Sequence, residues 1–186
     1  PLGPTSYGDS PYQSFSTFAG NPYFISLEDL IQEGVLTEEE CSRADFGSRP
    51  DFVDYAKVYE ERFPLLRKAY ERSSISLDPE FRKFRDENRW WLEDYALFMA
   101  VKARFKGTAW TRWAQDIRLR WQNALDYYRR ELYYDIEFHQ YLQFKFSQQW
   151  KKLKSYANAN GIRIIGDIPI YVAMDSADTW AHPELF

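Results

Sequence analysis

The residue in this sequence best placed for chemistry is Asp167, an acid within the apolar run 162–172. The run follows Asn160-Gly161, a helix-ending signal, and its β-branched residues predict a buried strand after a long helix. In α/β enzymes, polar residues at the carboxyl end of such a strand face the active site. A carboxylate in apolar surroundings must be hydrogen-bonded or bind a ligand. Asp167 is therefore either a ligand-binding acid or a structural one that bonds a loop or caps a helix.

The other reactive residue types form no recognisable catalytic set. Asp175 and Asp178 are interpreted as helix caps or surface acids. His139 is interpreted as a helix-face residue, because no His/Cys cluster has metal-ligand spacing. The sequence has neither a glycine-rich phosphate loop nor a serine on a nucleophile elbow. Neither a metal nor an organic cofactor is predicted.

The amino-acid composition limits which class of protein this chain can belong to and which partners it can bind. Hydrophobic residues make up 45% and charged residues 28%, as in ordinary globular proteins, and the net charge of -4 gives no basic footprint for nucleic acid. No apolar run approaches the ~20 residues that a membrane span needs. Cys41 is the only cysteine, so no intrachain disulfide can form, which fits the cytoplasm. We expect no nucleic-acid partner, no membrane partner and a cytoplasmic location.

Aromatic residues are unusually abundant, at 19% of the chain. Aromatics at helical spacing usually belong to the core, and most of these residues fall on periodic helices. Flat aromatic faces beside a cleft also stack on sugar rings. The exceptions to the helical pattern are the loop residues Tyr7, Tyr12, Tyr23 and Tyr55.

Local signals divide the chain into three segments. Residues 1–25 are rich in Gly, Pro, Ser and Tyr, which predicts a long functional loop. Residues 26–130 read as a helical subdomain with capping signals at Ser26, Thr37 and Asp78. Residues 131–186 predict a long helix, then a strand and the loop that follows it. The sequence therefore predicts an interior piece of a larger α/β enzyme, predominantly helical in this region.

The last predicted helix covers residues 131–160 and carries apolar residues at steps of three and four. Such spacing predicts one continuous buried face. Its members are Phe138, Leu142, Phe146, Trp150, Leu153 and Ala157.

Four segments resemble, in order, the signatures of one enzyme family. Residues 1–22 open with PLGPTSYGDSPYQS, residues 53–55 read VDY, residues 91–98 read WLEDYALF, and residues 148–186 include QQW, GDIPIYV and DSADTW. These segments are similar to those of the 4-α-glucanotransferases, also called amylomaltases or disproportionating enzymes and placed in glycoside hydrolase family 77. The likeness extends over essentially the whole chain.

The resemblance implies part of a (β/α)8 TIM barrel with a large helical insertion subdomain. It implies transfer of α-1,4-glucan segments from a donor to the 4-hydroxyl of an acceptor by a retaining double displacement, without a cofactor. The partners it implies are α-1,4-glucans, such as maltooligosaccharides and amylose, and the remaining part of the same enzyme chain.

The resemblance also assigns site residues. It implies that the three catalytic acids of the family lie on later barrel strands, beyond Phe186, so no catalytic residue is assigned here and the chain alone is expected to be inactive. Ser10, Tyr12 and Asp167 match residues that bind substrate. Tyr7 and Tyr55 match aromatics that form a second glucan-binding site in some members.

Two other interpretations of the sequence compete with the transferase. The chain could be a non-catalytic α-glucan-binding fragment, in which Tyr7 and Tyr55 bind glucan and nothing cleaves it. It could also be a helical interaction domain whose aromatics belong only to the core. Glucan-dependent protection of tyrosine fluorescence would separate these two.

Overall fold

The computed structural model describes residues 1–168 and 171–186. Within them the chain forms nine α-helices joined by loops and 3-10 turns. The helices are α1 (Leu27–Gln32), α2 (Glu38–Ser42), α3 (Tyr55–Arg72), α4 (Pro79–Glu87), α5 (Arg89–Arg104), α6 (Gln115–Arg118), α7 (Gln122–Glu131), α8 (Tyr133–Ala159) and α9 (Ala177–Ala181). The predominantly helical character predicted from the sequence is confirmed.

The predicted capping residues begin the helices as expected. The Ser26 hydroxyl accepts a hydrogen bond from the Asp29 N–H, and Thr37 forms a reciprocal capping box with Glu40. The Asp78 carboxylate accepts from the N–H groups at the start of α4, directly before Pro79. Each cap satisfies donors that a helix would otherwise leave unpaired.

Glu40 joins α2 to α3 through a charge network. Its carboxylate binds Arg72 through both oxygens, each at 2.9 Å, and accepts a hydrogen bond from Lys68 Nζ at 3.0 Å. Paired guanidinium and carboxylate groups form strong, oriented hydrogen bonds. These two cations lower the pKa of Glu40 to about 2.

The pH dependence of stability tests this network. Because the folded pKa of Glu40 lies below its unfolded value, its contribution is complete above about pH 4.5 and is lost as the pH falls toward 2. We expect Glu40→Gln to lower the midpoint of thermal unfolding at pH 7, and this difference from the wild type to vanish near pH 2. A difference that stays constant between pH 7 and pH 2 would contradict the assignment.

The core lies between α5 and α8 and is rich in aromatic rings. Tyr95, Phe98 and Tyr141 are almost fully buried. Trp180 of α9 packs against Phe98 with ring centroids 6.0 Å apart, and its indole N–H donates to the Ile117 carbonyl at 3.1 Å. Buried residues from all three predicted segments belong to this one cluster. The division at residues 25 and 130 remains a prediction.

The predicted buried face of α8 is buried along only part of its length. Phe138, Leu142 and Ala157 are buried as expected. The exposed fraction of Leu153 is 55%, and Phe146 and Trp150 are only half-buried. These three residues line a cavity of about 660 Å³, which we call the apolar groove; its other members include Leu2, Phe24 and Tyr156.

The strand predicted over residues 162–172 is not formed by its described residues, so this prediction is wrong for them. Residues 162–168 are irregular and exposed, with exposed fractions of 94% for Ile165 and 81% for Ile168. A strand needs a neighbour for its main-chain hydrogen bonds, and no described segment forms a β-bridge with residues 162–168. Pro169 and Ile170 lie outside the described residues. The (β/α)8 barrel itself is not visible in residues 1–168 and 171–186.

Candidate functional site

Tyr12 and Asp167, two of the residues assigned to substrate binding, meet in the structure. The Tyr12 hydroxyl donates a hydrogen bond of 2.9 Å to Asp167 Oδ2, although 155 positions separate the two residues. Both side chains are exposed. The pair therefore offers a carboxylate, a phenol hydroxyl and an aromatic face to solvent at one place on the surface.

Ser10 shapes the turn that carries Tyr12. Its hydroxyl accepts a hydrogen bond from the Tyr12 N–H at 3.3 Å, and its carbonyl accepts from the Gln13 N–H at 3.1 Å. At the base of this loop, the Ser6 N–H donates to the Gln13 carbonyl at 2.7 Å, beside an antiparallel bridge between Thr5 and Ser14. The structure thus places Ser10 in the same turn as Tyr12.

Two glutamines of α8 hold the loop segment in position. Gln143 accepts from the Gly20 N–H at 2.7 Å and donates to the Gly20 carbonyl at 2.9 Å. Gln149 makes the same pair of contacts with Ser26, at 2.7 and 3.3 Å. Each amide satisfies one main-chain donor and one acceptor that the loop cannot pair internally. Position 20 requires glycine, because a Cβ there would lie 2.0 Å from Phe146 Cδ1.

Asp178 fixes the loop from the other side. Its carboxylate accepts from the Thr17 N–H at 2.8 Å and from the Thr17 hydroxyl at 3.2 Å, and partial burial raises its pKa. Asp175 binds Lys102 Nζ at 2.5 Å and the Trp110 N–H at 3.2 Å. Neither acid caps its own helix, because Ser176 is the N-cap of α9. Both instead join the end of the chain to earlier segments.

The contact between Tyr12 and Asp167 can be tested by titrating the phenol. The hydrogen bond to the carboxylate, and secondarily its charge, raise the pKa of Tyr12 above its ordinary value of 10.0. The titration curve of the Tyr12 phenol is obtained by subtracting the curve of Tyr12→Phe from that of the wild type. We expect this phenol to ionise at a higher pH than a free tyrosine. Asp167→Asn should move its pKa back toward 10.0. An unchanged pKa in Asp167→Asn would show that the two groups do not interact in solution.

A second aromatic cluster lies where α3 begins. Tyr55, assigned to a second glucan-binding site, lies on the same helix face as Tyr59, and both are exposed. The ring of Tyr23 lies 6.3 Å from that of Tyr55. These three tyrosines, which we call the tyrosine cluster, line a cavity of about 400 Å³ together with Asp9 and Glu60. The side chain of Tyr7 lies outside the described part of the structure.

Tyr59 is the member of this cluster that sequence reasoning missed. Helical spacing predicts a core position for most helical aromatics and does not single out Tyr59, but 55% of it is exposed. A signal was available, because Tyr55 and Tyr59 are four residues apart and therefore point the same way on a helix. Burial in the cluster raises the pKa of Tyr23 to about 12, so it stays protonated near neutral pH.

His139 lies in α8 as predicted, but it is buried rather than on a solvated face. Burial lowers the pKa of its imidazole to about 3, so the ring is neutral. Over residues 1–168 and 171–186, no group of three or more His, Cys, Asp or Glu side chains could hold a metal ion. None of the helices in these ranges has the length and hydropathy required to cross a bilayer.

The sequence of this chain was compared with protein families and with known proteins. The profile described as 4-alpha-glucanotransferase matches residues 1–186, the whole chain. The chain belongs to the 4-alpha-glucanotransferase family. Proteins named 4-alpha-glucanotransferase from Clostridium butyricum and Streptococcus pneumoniae are 46% and 51% identical to it over its full length. The chain spans 38% and 37% of these two relatives.

Solved structures of the family agree with the fold. An amylomaltase from Streptococcus agalactiae, solved in complex with acarbose, superposes with a TM-score of 0.92 at 42% identity. That match covers the whole chain and 38% of the amylomaltase. An amylomaltase from Corynebacterium glutamicum shares the fold at 19% identity, with a TM-score of 0.69 over 98% of this chain and 26% of its own. The 4-alpha-glucanotransferase assignment therefore rests on sequence and structure together.

Proposed function

We propose that this chain is part of a 4-α-glucanotransferase that transfers α-1,4-glucan segments to the 4-hydroxyl of an acceptor glucan or glucose. The main observation in support of this proposal is the hydrogen bond between Tyr12 and Asp167 in a chain that belongs to this family. Both residues match substrate-binding positions of the family, and the fold brings them together from opposite ends of the chain.

The chemistry of the pair suits a sugar. The Asp167 carboxylate has four lone-pair sites, of which the Tyr12 hydroxyl uses one, so two neighbouring sugar hydroxyls can donate to the others. The Tyr12 ring offers a flat apolar surface to the CH face of a pyranose. Ser10 supplies a further hydroxyl in the same turn. Because hydrogen bonds within the turn and at its base already hold its main chain, binding costs less conformational entropy than in a free segment.

The bond-breaking step needs groups outside this chain. In a retaining double displacement one carboxylate attacks the anomeric carbon while a second protonates the leaving oxygen and later activates the acceptor hydroxyl. Asp167 is not assigned either role, because the resemblance matches it to a sugar-binding position and implies that the catalytic acids lie beyond Phe186. We therefore propose that Ser10, Tyr12 and Asp167 position the glucan and that the 186 residues alone do not turn over substrate.

The remaining part of the enzyme is the partner we propose for the exposed apolar surface. The apolar groove and the exposed run 162–168 together leave large hydrophobic side chains in water. Unpartnered strand-forming segments and apolar patches of this kind normally mark a contact with further structure. The relatives are more than twice as long as this chain, which supplies enough sequence to complete a barrel.

We propose the tyrosine cluster as a second glucan-binding site. The exposed rings of Tyr55 and Tyr59 and the half-buried ring of Tyr23 surround one cavity. Asp9 and Glu60 add carboxylates that accept hydrogen bonds from sugar hydroxyls. Tyr7, assigned to this site from the family, belongs to the same proposal. A chain that binds glucan here without transferring it is the alternative function, and the transfer assay below decides between the two.

The proposed location is the cytoplasm, with no cofactor, nucleic-acid partner or membrane partner. The single cysteine supports a reducing compartment. The described acids and histidines offer no metal site, and the activity as proposed needs only carboxylates.

The stereochemistry of the new bond tests the proposed reaction. The complete enzyme, incubated with maltotriose, should form longer glucans in which every new linkage is α-1,4, as read from the anomeric proton signals by NMR. Retention follows from two successive inversions at the anomeric carbon. New β-linkages, or products of hydrolysis alone, would contradict the proposal.

A further inference from the structure

A separate polar cavity lies between α4, α5, α7 and α8. Its volume is about 340 Å³, and its polar lining includes Arg85 from α4, Arg129 from α7, and Glu137 and Gln140 from α8. It shares no lining residue with the tyrosine cluster and contains neither Tyr12 nor Asp167. We call it the α8 cavity.

Glu137 is a buried carboxylate without a cation beside it. Only 4% of the residue is exposed. Its oxygens accept hydrogen bonds from the hydroxyls of Tyr70 at 2.9 Å, Ser76 at 2.9 and 3.0 Å, and Tyr133 at 3.2 Å. None of the ion pairs within 4.0 Å among the described residues includes Glu137. Three hydroxyl donors leave one of its four lone-pair sites for another donor.

Other groups around the α8 cavity also have unused hydrogen-bonding capacity. Gln140 is only 4% exposed, yet its amide makes no hydrogen bond to any described residue. Its amide atoms are not among the fully shielded unpaired atoms of the described residues, so they are open to a donor or an acceptor in the cavity that they line. Arg129 has one carboxylate nearby, Asp126 at 3.7 Å, and Arg85 has none within 4.0 Å in the described ranges.

We propose that the α8 cavity binds a small neutral polyol of monosaccharide size. Its lining carries two guanidinium groups and two carboxylates, those of Glu137 and of Glu93 from α5, so it favours a ligand without net charge. A sugar hydroxyl both donates and accepts, and it therefore satisfies Glu137, Gln140 and the arginines at once. Leu97 and Ile136 supply apolar surface for the CH groups of the ring. The volume lies within the range of small-molecule sites.

This inference is independent of the proposed transferase activity, because it concerns binding at a different place. The experiment uses the complete protein labelled with nitrogen-15 at its glutamine side chains. The amide signal lost in Gln140→Met identifies Gln140, and D-glucose is then titrated. We expect a saturable shift of this signal that persists in Asp167→Ala, which removes a binding group from the glucan cleft but leaves the α8 cavity intact.

Matched variants on α4 locate the binding. Arg85→Met should weaken glucose binding, read at the Gln140 signal, at least fivefold. Lys83→Met, an exposed cation on the same helix that does not line the cavity, should leave it unchanged. A Gln140 signal that does not respond to glucose, a response equal in Arg85→Met and wild type, or a response to the zwitterion alanine in place of glucose would overturn the proposal.

Discussion

Asp167→Ala is expected to reduce glucan transfer by the complete enzyme more than tenfold while leaving the fold intact. Hydrogen bonds to a charged group are worth about 1.5–3 kcal/mol, and each 1.4 kcal/mol changes a rate tenfold. The fold should tolerate the change, because the only side-chain partner of Asp167 in the described ranges is the exposed Tyr12. The measurement is kcat/KM with maltotriose, accompanied by the urea midpoint.

Two controls make this result specific. Asp86→Ala removes an exposed aspartate of α4 that has no described hydrogen-bond partner, and it should leave kcat/KM unchanged. Tyr12→Phe should also lower kcat/KM. Because the two residues act as a pair, the fold reduction in kcat/KM of the double variant should be smaller than the product of the two single fold reductions. Wild-type kinetics in Asp167→Ala would refute its role in substrate binding.

Gln143→Leu is expected to give the largest loss of stability among single changes near the site. The side chain is 2% exposed and satisfies both the N–H and the carbonyl of Gly20. Leaving a buried donor or acceptor unpaired costs about 1–3 kcal/mol, so the loss of both partners should lower the free energy of unfolding by about 2–6 kcal/mol. Transfer should fall as well, because the same contact positions the loop that carries Tyr12. Urea denaturation of the complete protein measures the change.

Gln149→Leu is the matched control for this effect. It removes the same pair of contacts, here to Ser26, but its side chain is only half-buried, so water replaces the lost partners. The expected loss is below about 1 kcal/mol. Equal losses in the two variants, or a loss under about 0.5 kcal/mol in Gln143→Leu, would show that burial does not set the strength of these contacts.

Local sequence signals predicted the helices well, because a helix makes its hydrogen bonds within one segment. Ser26, Thr37 and Asp78 cap helices as their spacing indicated. The long helix predicted over residues 131–160 is observed as Tyr133–Ala159. The strand over residues 162–172 failed in its described part, because a strand and its burial depend on partners far away in sequence. Leu153 on α8 is exposed for the same reason: its burial also depends on partners far away in sequence.

The candidate site depended on family resemblance rather than on local pattern. Resemblance assigned Tyr12 and Asp167, but only the three-dimensional structure shows that their side chains touch. The role of Gln143 was not predicted, because nothing in the neighbouring sequence indicates that this single polar residue on an aromatic helix binds a distant loop. Tyr59 escaped because helical periodicity does not distinguish a buried face from a cleft.

The most direct test of the central claim is a transfer assay with a labelled acceptor. The complete enzyme is incubated with unlabelled maltotriose and carbon-13 glucose, and the products are separated by mass. We predict a series of maltooligosaccharides that carry the label at the reducing end, formed at least ten times more slowly by Asp167→Ala. Unlabelled glucose and maltose as the only products, or no product at all while maltotriose still binds, would contradict the account and favour the glucan-binding alternative.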